Sequence, residues 1–199
     1  MAHILYTMNK KLLITLTILT VFLLSAQNSI SVPKKQSEPT FTELTVTTSS
    51  SHLLLFGMLQ NGFTDEMIQG LHSGLPIHFS FFIELNQTAN GWEDGVLSSM
   101  TTDHIISYDT LKETYNVEIE ESGKRFFNFE TLPQAQKAAN EINGLKVIEL
   151  TELQPDTSYT LRLRAELYKK TLPMRLHEVV PFVSWWDIKT KWHSLTFNI

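Results

Sequence analysis

The ten residues YTLRLRAELY, positions 159–168, decide the fold class. Leu161, Leu163, Ala165 and Leu167 alternate with Arg162, Arg164 and Glu166, a period of two that gives a strand one dry face and one charged face. PIHFSFFIEL, positions 76–85, repeats the pattern. There Ile77, Phe79, Phe81, Ile83 and Leu85 share one side, and His78, Ser80, Phe82 and Glu84 the other. TYNVEIEE and KRFFNFE flank ESGK and predict a hairpin, with Tyr115, Val117 and Ile119 set against Phe127 and Phe129. Gly123 supplies the positive φ of its turn. FTELTVTT and HLLLFGML predict two more strands, the second buried on both faces. GVLSSMTTDHIISYD predicts a long strand returning across TANGWEDG, where Asn90-Gly91 is the turn dipeptide.

Two helices interrupt the strands. In FTDEMIQGLHSGLP, Thr64 is the N-cap, Asp65 and Glu66 suit the positive helix end, and Phe63 can staple onto Ile68. Gly74 and Pro76 stop this helix. In TLPQAQKAANEING, Thr131 and Gln134 have capping-box spacing and Pro133 fits the first turn. Leu132, Ala135, Ala139 and Ile142 form a narrow apolar stripe, and Gly144 is expected to end this helix. The chain is therefore expected to be mainly β (α+β). The architecture expected is an antiparallel β-sandwich or a strongly curved sheet of about eight to nine strands with two short helices.

Composition bounds the function. The 199 residues are 42% hydrophobic and 19% charged, enough apolar content for one well-filled core. The absence of cysteine excludes disulfides, thiolate metal sites and a cysteine nucleophile. Lys10 and Lys11 precede the uncharged run LLITLTILTVFLL, positions 12–24, followed by Ser25 and Ala26. A basic flank, a short apolar stretch and small residues predict a signal peptide over 1–26. A spanning helix needs about 20 apolar residues, so an inner-membrane anchor over 12–26 is the alternative. Met1 and Met8 are both possible starts. Cleavage after Ala26 leaves 14 basic and 21 acidic residues, a net charge of −7. No basic field then favours nucleic acid. Residues 27–40 read as a flexible lead-in, and 41–199 as a single β-rich domain exported to the periplasm or beyond.

SWWDIKTKW, positions 184–192, carries three of the four tryptophans. Strand alternation sends Trp185 and Trp186 to opposite faces. Trp186 lines up with Phe182, Ile188 and Trp192 as a core face, while Trp185 falls on the side of Lys189 and Lys191. Trp185 with Lys189 is the candidate interaction surface. Other chemistry is thin. His177-Glu178 lacks the second histidine of a zinc-protease helix, and the seven histidines include no H-x-H or H-x-x-H pair. WEDG, at 92–95, lacks the alternating ligands of a calcium loop. Asn86-Gln87-Thr88 matches a glycosylation acceptor, relevant only in a eukaryotic secretory route. Glu118, Glu120 and Glu121 read as the solvent face of the hairpin. Neither catalytic, metal nor cofactor-binding residues are assigned.

LHSGLPIHFSFFIEL, then W-E-D, then SYDTLKETYNV and finally SWWDIKTKW form an ordered series. In it the chain resembles an uncharacterised family of exported proteobacterial proteins, a domain of unknown function catalogued as family 4390. The positions that carry the resemblance are Leu71, Ser73, Gly74, Pro76, Glu84 and Leu85, then Trp92 and Asp94. They continue with Tyr108, Asp109, Leu111, Tyr115 and Val117, and end at Trp186 and Asp187. The resemblance spans residues 41–199 and implies an envelope location, with no activity and no site residue to transfer. Many of these positions are turns or core rings. Asp109, for example, can close an Asx turn into TLKE.

The expectation that follows is a non-enzymatic envelope domain that binds another envelope or membrane protein. The alternative is a carrier or sensor holding an apolar or glycan ligand between its sheets, lined by Phe79, Phe81, Phe127, Phe129 or Trp186. A hydrolase would require Glu118, Asp94 or Asp109 to converge with a histidine.

Overall fold

The computed structural model describes residues 37–89, 92–121, 123–167 and 188–199. Nine strands, two helices and one 3-10 turn follow in chain order. They are β1 (Thr40–Thr48), β2 (His52–Gln60), α1 (Asp65–His72), β3 (Ile77–Ala89), β4 (Trp92–Asp109), β5 (Thr114–Ile119) and β6 (Arg125–Phe129). Then come α2 (Leu132–Asn140), β7 (Glu141–Glu149), the 3-10 turn Leu150–Glu152, β8 (Ser158–Leu167) and β9 (His193–Asn198). Two antiparallel sheets result, one ordered β1-β2-β7 and the other β6-β5-β4-β3-β8-β9, in a sandwich-like, mostly β arrangement.

The two-residue period builds the core as expected. Phe79, Phe81, Ile83 and Leu85 of β3 and Leu161, Leu163 and Ala165 of β8 are all buried, in register across the β3–β8 ladder. Leu53, Leu55 and Leu59 of β2 face them from the smaller sheet. The sheets meet ring on ring, with Phe41 of β1 edge-on to Phe81 at 6.1 Å, and Ser98 Oγ of β4 donates to Val147 O of β7 at 3.0 Å. The other side of β2, carrying Leu54, Phe56 and Met58, is only half-buried, so this strand has one core face rather than two. Its unbroken apolar run hides an alternation in burial.

Thr64 caps α1 by accepting from Met67 N–H at 3.2 Å, and Gly74 ends it at φ +86°. Phe63, expected against Ile68, sets its ring edge-on to Phe79 at 5.1 Å. His72 closes α1 onto β5: His72 Nε2 and the Tyr115 hydroxyl share a hydrogen bond of 2.7 Å. Burial, then the neighbouring Tyr108, raises the Tyr115 pKa above its ordinary 10.0.

Three sequence expectations are corrected. Thr131 is the N-cap of α2, but its hydroxyl donates to Gln134 Oε1 at 2.9 Å and makes no bond to the backbone, so the capping box does not form. That helix ends at Asn140, and Gly144 lies inside β7 at φ +76°, at a bulge. That bulge needs a residue without a Cβ penalty at positive φ. Trp192 leaves the core face. One extra residue lies on the last strand between the Lys189–Glu166 bridge and the His193–Leu163 pair. The slip turns Trp192 to the outer face, with its ring 4.8 Å from the Arg162 guanidinium and 4.6 Å from that of Arg164.

The expectations for the signal peptide over 1–26, the Asn90-Gly91 dipeptide, His177, Trp185, Trp186 and Asp187 fall outside the described residues, as does nearly all of the 27–40 lead-in. Among the described residues, no helix is long and apolar enough to cross a membrane.

Two outcomes are expected. Phe81→Ala, at the centre of the inner rings, should lower stability by about 3–5 kcal/mol in urea unfolding. The Phe82→Ala change one residue on, half-buried on the outer face, should lower it by visibly less. The second concerns Asp109, whose Oδ1 accepts from Leu111 N–H at 3.0 Å and Lys112 N–H at 3.1 Å, the Asx turn read from sequence. The Lys112 amide holds this carboxyl below its ordinary 3.8. A depressed folded value means the turn's contribution is full above the unfolded pKa and fades as pH falls through the folded one. Asp109→Asn keeps the acceptor oxygen and should remove that slope, read by NMR titration and acid unfolding.

Candidate functional site

The hairpin β5–β6 ends the larger sheet, and among the described residues no strand pairs with the outer edge of β6. Its five residues, RFFNF, run in unbroken register against β5, Arg125 opposite Ile119 through Phe129 opposite Tyr115. All but Phe129 are exposed. Phe126 points from the outer face with 72% of its surface accessible, and Phe127 from the inner side with 38%.

Two of the other terminal strands are irregular. β1 carries a bulge between Thr42 and Thr45, with Glu43 at φ +56°. β7 skips two residues against β2. β9 pairs β8 in unbroken register from His193 to Asn198, with the slip described above and the lysines Lys189 and Lys191 just before it. Bulges and lysines are the common means of blunting an edge. Among the described residues, β6 and β9 are the terminal strands without a bulge, and β6 is the one that exposes phenylalanine rings on both faces.

Beside β6 lies a hollow of about 180 Å³, lined by Ile119, Glu121, Arg125, Phe127, Phe129, Ala138, Glu141 and Asn143. The Phe127 and Phe129 rings form one wall, stacked at 6.4 Å and 23°. Helix α2 forms another, brought close because its buried side chains are only Ala135 and Ala139.

At the floor of the hollow the acidic run was misread. Glu118 and Glu120 do face solvent, at 2.7 and 3.9 Å from Lys124 Nζ, and the Glu118 hydrogen bond raises the Lys124 pKa above its ordinary range. Glu121 does not, since its side chain is only 3% exposed. β5 ends at Ile119 and the Glu120 N–H then donates to Asp103 O, but Glu121 keeps the buried parity of Tyr115, Val117 and Ile119. Glu121 Oε2 accepts from Arg125 at 2.6 Å, and Oε1 accepts from Asn143 N–H at 3.2 Å. His104 of β4, wholly buried, has Nε2 3.4 Å from the same Oε1. Its Nδ1 carries a proton, since it lies 2.9 Å from Ala139 O, which can only accept. That carbonyl is in the last turn of α2 and has no partner within the helix.

His104, Glu121 and Arg125 thus tie β4, the hairpin, α2 and β7 together. The sequence offered one clue to this, a Glu and an Arg four residues apart across Gly123. Nothing in it marks His104, whose partners lie 17 or more positions away.

The other candidates do not assemble. Lys189 is exposed and pairs with Glu166 at 2.8 Å, while its expected neighbour Trp185 lies outside the described residues. Glu118 and Asp109 stand four residues apart along the β4–β5 ladder, about 13 Å by strand rise, too far to share one bond-breaking centre. Among the described residues, no three acidic or histidine side chains are grouped to hold a metal ion.

Fold and site together define a β-sandwich-like domain whose larger sheet ends, among the described residues, in an exposed aromatic strand. The chain belongs to the family described as Domain of unknown function (DUF4390), which it matches over residues 36–196. No curated protein and no solved structure matches it.

Glu121→Ala should lower stability by about 1–3 kcal/mol, because it strips the part-buried Asn143 N–H of its acceptor and leaves His104 Nε2 facing a void. Arg125→Ala should cost at least as much, because it leaves the Glu121 carboxylate, 3% exposed, without its cation. Urea unfolding of both variants checks this, and a negligible loss for Arg125→Ala would place the pair at the surface energetically.

Proposed function

We propose that this domain is a non-enzymatic interaction module of the cell envelope, which takes an extended segment of another protein as an added strand on β6. The observation that carries the reading is the state of that edge, which is regular, aromatic and bordered by a hollow. An exposed regular edge offers main-chain hydrogen bonds to an incoming strand, and adjacent pockets select its side chains. The envelope location rests on Lys10, Lys11 and the apolar run 12–24, and the same pattern left uncleaved would make this the extracytoplasmic part of a membrane protein. A proteobacterial envelope is the setting the family resemblance suggests.

The carrier alternative draws less support. Phe79 and Phe81 are fully buried against other rings, and the hollow that Phe127 and Phe129 do line sits at the margin of the sheet. At about 180 Å³ it falls short of the roughly 300–1,000 Å³ of typical ligand pockets.

The test compares the wild-type chain with the double variant Phe126→Lys, Phe127→Glu as baits in envelope extract. Both changes fall on exposed positions, so circular dichroism should show a folded variant. A protein retained by the wild type should be lost from the variant and should slow hydrogen exchange at residues 125–129. An unchanged set of captured proteins, or a co-purifying lipid or sugar with no protein, would overturn the proposal.

A further inference from the structure

We infer that the segment accepted by β6 is basic, an extended stretch with Lys or Arg at alternate positions whose stems cross Phe127 and Phe129 and whose charged heads reach Glu141. The inference rests on the strand-addition reading above and adds the chemistry of the partner.

A strand laid against β6 points alternate side chains to the two faces of the sheet. Those on the side of Phe127 and Phe129 enter the hollow. What fits there must be apolar along its length and cationic at its tip. The wall is a pair of stacked rings, and the far side is Glu141, whose Oε1 accepts from the neutral Asn143 side chain at 3.2 Å. Long basic side chains have that form, burying a hydrocarbon stem while the head stays polar.

Arg125 displays the mode within the chain itself. Its Cζ sits 5.7 Å from the Phe127 ring centroid and its guanidinium bonds Glu121 at 2.6 Å, with half of the side chain still exposed. Glu121 is thereby neutralised, while among the described residues Glu141 has no cation within salt-bridge distance.

The wider charge agrees. Residues 118–143 contain five acids against three bases, in a chain of net charge −5. An acidic segment would set like charges beside Glu141. A second copy of this chain pairing through β6 would bring the two acidic margins together.

Two blocked ten-residue peptides alternating Thr or Val with Lys, or with Glu in the same places, serve as probes for the full chain. The lysine peptide should bind at least tenfold more tightly, shift the amide resonances of residues 125–129, and weaken several-fold between 50 and 300 mM salt. Glu141→Gln should reduce that binding severalfold without changing the unfolding midpoint. Equal or tighter binding of the glutamate peptide, or indifference to Glu141→Gln, would overturn the inference. So would self-association by light scattering that the Phe126→Lys, Phe127→Glu variant abolishes. If neither peptide binds, and the partner captured through β6 lacks Lys and Arg in its protected segment, the charge assignment falls while strand addition stands. Capture that ignores β6 removes the reading beneath both.

Discussion

The structure depends on the burial of one row of side chains along β3. This strand is hydrogen-bonded on both sides, to β4 and to β8, so every alternate residue from Ile77 to Leu85 is forced to the same face. That row is apolar without exception and is covered by β2, the helices and the rings of Phe41 and Phe63. A slip of one residue would exchange it for His78, Ser80, Phe82 and Glu84, placing a carboxylate in the core. Register is therefore fixed in the middle of the sheet, and it propagates outward through β4 and β5 to β6.

How much of this was legible follows from the same logic. Where a strand is covered on one face, composition alternates and can be read, as in β3, β5 and β8. The helices were legible through Thr64, Pro133 and Gly74, whose effects are local. Misreadings arose where a tertiary device overrode the period. The extra residue before His193 carried Trp192 outward onto two arginines, and Gly144 served a bulge rather than a helix end. Three acids within four residues concealed that the last, Glu121, shares the buried parity of Val117 and Ile119. The His104–Glu121 contact joins β4 to the residues beyond β5, and no single-sequence periodicity reports such pairs.

The buried polar group has a role in shaping the edge. A carboxylate withdrawn from water is tolerated only when its oxygens are occupied, and here a guanidinium and a backbone N–H bond it, with the His104 ring packed 3.4 Å away. The partners come from β6, β7 and β4, so the hairpin cannot swing without uncovering Glu121. His104 also satisfies a last-turn carbonyl of α2, which locks the helix that walls the hollow. β6 is thus held by charge and hydrogen bonds on the side where it buries little apolar surface.

A rigid, regular, aromatic edge is a hazard unless something limits what can pair with it. β6 is only five residues long, which restricts the main-chain bonds that any chance partner can make. Glu141 lines the hollow beside the strand, and Glu130 follows the strand directly. A copy of the same edge meets repulsion from these groups, whereas a segment of opposite charge meets attraction. The acids that would deter self-pairing are therefore the groups that would select a basic partner, so one arrangement of charge serves both ends.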